Sequence, residues 1–98
     1  MLFRSLAEIF RREYPRQMLG VSLCIQQADA DGLRRNAHAL KGALANLSAV
    51  HAASLAASLE KSGAAGVVGP AQATLDELEA ELPRVLASLD ELCKEPAL

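Results

Sequence analysis

Aromatic residues are nearly missing from this sequence: there is no tryptophan, one tyrosine and two phenylalanines among 98 residues. With aromatics at 3% and β-branched residues also sparse, the composition argues against a sheet. Two cysteines, Cys24 and Cys93, are too few and too far apart for a disulfide framework or a zinc site. Each reads instead as a small apolar packing residue. No apolar run approaches the roughly 20 residues needed to span a bilayer, and no signal peptide is visible. The chain is therefore expected to be soluble and cytoplasmic, with no direct membrane contact. A net charge of −2 supplies no general basic field for nucleic acid. What remains is alanine and leucine, which carry most of a 51% hydrophobic content and favour helices. A chain this short makes one domain that buries about two thirds of its unfolded surface.

The charge is unevenly spread. Residues 1–49 hold 7 Lys/Arg against 4 Asp/Glu, whereas residues 50–98 hold 3 against 8. The first half thus offers a positive surface suited to an acidic protein pocket or a phosphoryl group.

Hydrophobic spacing predicts five helical segments. Leu2, Phe3, Leu6, Ile9 and Phe10 mark a first helix ending near Tyr14. Pro15 lacks a backbone donor and suits a first helical turn, so a second helix is expected to start there and reach about Ala28. Its apolar positions are Met18, Leu19, Val21 or Ser22, Leu23 and Ile25. Asp29 and Asp31 are candidate caps for a third, running to about Leu47 with Leu33, Ala37, Leu40, Leu44 and Leu47 on its inner stripe. Ser48 should interrupt the chain and cap the next helix with its hydroxyl. That helix, Ala49 to Ser62, would bury Ala52, Leu55, Ala56 and Leu59, and Gly63 fits a left-handed cap at its end. After the loop 63–70, a last helix from Ala71 to Leu92 carries Leu75, Leu78, Leu82, Val85 or Leu86, Leu89 and Leu92, with an axis kinked at Pro83. Short connections and single apolar stripes imply an all-α, antiparallel up-down four-helix bundle, with the additional N-terminal helix packing over one end.

His38 stands apart from that pattern. On a helix it points roughly 150° away from the Leu33–Leu47 stripe. Its neighbours one turn away are Arg34, Lys41 and Gly42, flanked by Arg35 and Ala45, and no acid is expected on this face. Gly42 costs about 1 kcal/mol relative to alanine in a helix interior. Placed beside His38, it leaves a gap through which another protein can approach the imidazole. A tolerated glycine beside an ordinary surface histidine is the plainer alternative.

Taken together, His38, Leu40, Lys41, Gly42, Asn46, Leu47 and Ala49, followed by the pair Leu59-Glu60, resemble the signature of histidine-containing phosphotransfer (HPt) domains. These are the helical modules of multistep two-component phosphorelays. Asp29, Leu33 and Ala37 also stand where that family has an acidic cap, a core leucine and a small residue. The resemblance covers about residues 10–92. It implies a phosphocarrier, not an enzyme, in which His38 accepts and donates a phosphoryl group and Lys41 stabilises it. The implied partners are response-regulator receiver domains, met through Arg34, Arg35, Lys41, Gly42, Ala45 and Asn46. No cofactor of its own is implied; Mg²⁺ would come with the receiver. The chain is expected to be a monomer when isolated, and its start relative to the family suggests a piece of a larger hybrid sensor kinase.

The chemistry agrees with that resemblance. Neutral imidazole is a nucleophile, and Arg34, Arg35 and Lys41 should disfavour a further positive charge on the ring while stabilising a phosphoryl group upon it. Metal binding by His38 is disfavoured because cations and Gly42 occupy the three- and four-residue positions where ligands would sit. His51 reads as a plain surface residue. A self-phosphorylating kinase lacks support: Ala39 follows the histidine where sensor kinases place an acid, and there is no glycine-rich nucleotide loop. A helical receiver-binding module without phosphotransfer is the remaining alternative. Asn46 has a second reading too, closing the end of its helix with the side-chain amide. Departures from the family pattern are Ala43 for a serine, Ser48 for a glycine, and Ala52 and Ala56 for larger residues.

Overall fold

Four helices and the short connections between them account for residues 2–93, the part of the chain that the computed structural model describes: α1 (Leu2–Gln26), α2 (Ala30–Asn46), α3 (Val50–Ala65) and α4 (Ala71–Cys93). Among the described residues there is no strand. Each helix packs on its neighbours in sequence and α1 closes against α4, giving the expected antiparallel bundle. The inner stripes of α2 and α3 are those that the spacing predicts. Leu33, Leu40, Leu44, Leu59, Leu75 and Leu78 are fully buried, each contributing about 1.5–3 kcal/mol by leaving water. Val85 takes the core position that Leu86 could have filled, and Leu86 packs at its edge. Ile9, Leu19, Leu23 and Leu92 point outward instead of joining the core. Cys24 is buried as a free thiol whose Sγ accepts from Asn36 Nδ2 at 3.5 Å, while the packing expected of Leu2, Phe3 and Cys93 concerns side chains outside those described.

Three local expectations need correction. Pro15 does not separate two helices; α1 runs through it. Pro15 is exposed, so water can reach the carbonyl left without a donor, while Phe10, Met18 and Val21 keep one continuous buried face on either side. The segment before Pro15 still covers one end of the bundle, where Arg11 pairs with Asp90 and Leu6 and Phe10 lie beside Leu47. Ser48 does not cap α3 with its hydroxyl. It turns the chain through a left-handed backbone (φ 60°), and Ala49 stands at the cap position without a side-chain bond. Gly63 is not the end of α3 either. Gly66 holds the left-handed position (φ 73°), its N–H donating to Gly63 O at 3.1 Å.

Candidate functional site

Asp29 starts the helix that carries the site. Its Oδ1 accepts from Gly32 N at 2.9 Å, satisfying one of the donors that every helix start leaves open. From that cap the buried register of Leu33, Ala37, Leu40 and Leu44 sends His38 outward, with 65% of its side chain exposed. The expectation of a site without acids is overturned. Glu60, reaching across from α3, places Oε2 2.8 Å from His38 Nδ1 and Oε1 2.7 Å from Lys41 Nζ. Counting neighbours along α2 alone could not reveal it. The Leu59-Glu60 pair was visible in the sequence, but without the α2–α3 register it had no role.

The bond to Lys41, and next the bond to His38, hold the Glu60 carboxyl below the usual glutamate range. Glu60 is therefore a carboxylate at neutral pH and can only accept hydrogen bonds. It follows that Nδ1 carries the ring proton, and that a neutral imidazole presents its lone pair at Nε2, on the side away from Glu60.

Arg34 and Arg35 are less free than the sequence suggests. Asp31 binds Arg34 Nη2 at 3.0 Å and Arg35 Nε at 3.2 Å, and these cations, Arg34 first, keep its carboxyl low. All three side chains are exposed, so the cluster is loosely held. Gly42 is exposed too, and a methyl group built on it would meet nothing within 4 Å. Nothing inside the chain explains a glycine there. Ala45 and Asn46 continue the exposed face. The end of α2 is closed by the backbone N–H groups of Ser48 and Ala49, donating to Ala45 O and Leu44 O, and the Asn46 amide takes no part. Asn46 instead borders a cleft of about 130 Å³ between α1 and α2, with Ile9, Glu13 and Gln17.

Other concavities lie elsewhere. A groove of about 250 Å³ between the start of α3 and the second half of α4 includes His51 and Arg84 but none of the His38 cluster. Among the described residues, no three His, Cys, Asp or Glu side chains gather as metal ligands would. No helix of the described residues is long and apolar enough to cross a membrane.

The sequence matches the family model described as the Hpt domain over residues 5–92. The chain belongs to the Hpt domain family. It is similar to the crystal structure of histidine-containing phosphotransfer protein B (HptB) from Pseudomonas aeruginosa PAO1, at 26% identity and a TM-score of 0.87. That likeness covers 96% of this chain and 82% of the other. No curated protein matches the sequence. Membership gives the domain a histidine phosphotransfer role in two-component signalling. Hpt domains are phosphocarriers, not catalytic enzymes, and they interact with response-regulator receiver domains.

Proposed function

We propose that His38 of this Hpt domain is the phosphoacceptor, taking a phosphoryl group on Nε2 from an aspartate of one receiver and passing it to another. The observation that carries the reading is the Glu60 carboxylate on Nδ1 of an exposed His38 side chain, which places the single proton of a neutral ring on Nδ1 and its lone pair on Nε2. In the forward step the Nε2 lone pair attacks the phosphorus of a receiver's aspartyl phosphate. The P–O bond to the aspartate breaks and its carboxylate leaves with the electron pair. The ring keeps its Nδ1 proton, and the positive charge it gains is balanced by Glu60. In the reverse step a receiver carboxylate attacks phosphorus, and the P–N electrons return to Nε2. No proton has to move in either direction, so the arrangement suits a reversible carrier.

Lys41 stands one turn from His38, where a phosphoryl group on Nε2 competes with Glu60 for its ammonium. The carboxylates and Mg²⁺ that organise in-line transfer would be the receiver's, since this chain's acids near His38 are already paired. Docking would use the exposed surface of Arg34, Arg35, Gly42, Ala45 and Asn46, with Gly42 as the point of closest approach. The domain would act in the cytoplasm as a monomer, through an interface small enough to release its partner after each transfer.

A phosphorylated receiver mixed with wild-type protein and with His38→Gln tests this reading. Label should move to the wild type and not to the variant, with helicity and melting unchanged. Transfer to His38→Gln overturns the assignment. Binding of the receiver without any transfer to the wild type would instead mark an interaction module.

A further inference from the structure

Helices α2 and α3 are in close backbone contact where Gly63 faces the first turns of α2. A methyl group built on Gly63 would lie 2.5 Å from Arg34 N, 2.7 Å from Ala30 O and 2.9 Å from Arg34 Cα. All three are main-chain atoms, which cannot swing aside as a side chain can. Gly20 and Gly32 also have close neighbours, but those are side-chain atoms of Asn36, Asp29 and Cys24. Gly63 has ordinary helical backbone and does not cap α3, so conformational freedom does not account for it.

Antiparallel register ties this contact to the site. Stepping back about one turn along α3 from Gly63 reaches Glu60, and stepping forward about one turn along α2 from Arg34 reaches His38. The pairs Gly63–Arg34 and Glu60–His38 are thus neighbouring rungs of one ladder. We infer that Gly63 is a positioning residue for the phosphoacceptor: its missing side chain lets α2 and α3 approach until Glu60 reaches His38 Nδ1 and Lys41 Nζ together. The inference rests on the carrier reading above. Restoring an ordinary contact of at least 3.4 Å around a new methyl requires the helices to part locally by about 1 Å. Added to a His38–Glu60 separation of 2.8 Å, that displacement exceeds hydrogen-bonding distance.

Gly63→Ala tests this with two readouts, NMR of the His38 ring nitrogens and the rate of phosphoryl transfer from a phosphorylated receiver. The wild type should show the proton on Nδ1. Gly63→Ala should show a mixture of both tautomers and transfer slowed about 10-fold or more, the scale expected when a reacting group is misplaced by about 1 Å. Glu60→Asp withdraws the carboxylate without touching the helix contact and should give the same ring spectrum. The double variant Glu60→Asp/Gly63→Ala should then lose little more than either alone. An unchanged ring spectrum or rate in Gly63→Ala, or losses that simply add, overturns the proposal. So does a Gly63→Ala chain that stays unfolded even in the cold with a stabilising osmolyte, since Gly63 would then serve the fold at large. The ring spectrum needs no phosphoryl donor, so this inference can fail while the carrier reading stands. A wild type that takes no label sinks the carrier reading separately.

Discussion

Lys41 Nζ lies 2.7 Å from the one oxygen of Glu60 that His38 leaves unoccupied, so a single carboxylate serves both residues. Before any phosphoryl group arrives, this cation is engaged, and its partner belongs to a different helix.

Glu60→Ala removes both bonds at once. The ring loses the acceptor that fixes its proton, and Lys41 loses its restraint. At metal-bound histidines, loss of the carboxylate on the other ring nitrogen costs about 10–100-fold in affinity or activity, and the same scale is expected here. Transfer from a phosphorylated receiver should slow by that factor, while circular dichroism shows the helices intact. A rate equal to wild type would show that Glu60 is a bystander.

The paired acids also predict how the site answers to pH. Glu60 and Asp31 both titrate below their usual range because their cations favour the charged form. A carboxyl whose folded pKa is depressed contributes stability that is fully present above its unfolded value. For glutamate that value is about 4.3. The contribution is lost as pH falls through the lower folded value. Denaturant melts carried downward through the ordinary carboxyl range should therefore show the wild type's advantage over Glu60→Gln shrinking as pH falls and vanishing below that range. An advantage that grew on acidification would contradict the sign.

Gly42 separates stability from function in the opposite sense to Gly63. Open space surrounds it, so Gly42→Ala meets no clash and gains about 1 kcal/mol of helix propensity. For a domain of this size that corresponds to a rise in Tm of about 4–8 °C. The added methyl stands on the surface beside His38, where the proposed receiver must come close. Transfer should slow as Tm rises. A variant that is both more stable and equally fast would remove Gly42 from the docking surface.

The repeating part of this fold was legible in the sequence, and the particular part was not. Leu33, Leu40 and Leu44 announce a buried stripe because helical period alone determines which residues share a face. The same period placed His38 outside, and of the two candidate caps, Asp29 and Asp31, it is Asp29 that starts its helix. Pro15 misled because propensity is local, whereas α1 is held by the face that Phe10 and Val21 bury on either side of it. Glu60 and Gly63 escaped for another reason. Each acts across the α2–α3 seam, and a seam has a register only once both helices are placed. Gly63 looked like a helix end because a glycine that caps and a glycine that admits a neighbour are the same residue in a sequence.

Ser48 stands at a turn whose backbone favours glycine. With φ at 60° it occupies the left-handed region, as Ala28 does at 54° in the preceding turn. For a residue bearing a Cβ that conformation costs about 1–2 kcal/mol, part of which glycine returns as greater freedom in the unfolded chain. Ser48→Gly and Ala28→Gly should each stabilise the fold by about 0.5–1 kcal/mol, read from denaturant melts. The two turns stand at opposite ends of α2, some 25 Å apart by its length, and share no partner, so their effects should add. Neither touches His38, Lys41 or Glu60, and transfer rates should stay at the wild-type value. A loss of stability in Ser48→Gly would mean that this turn draws more from the serine side chain than it loses to its backbone.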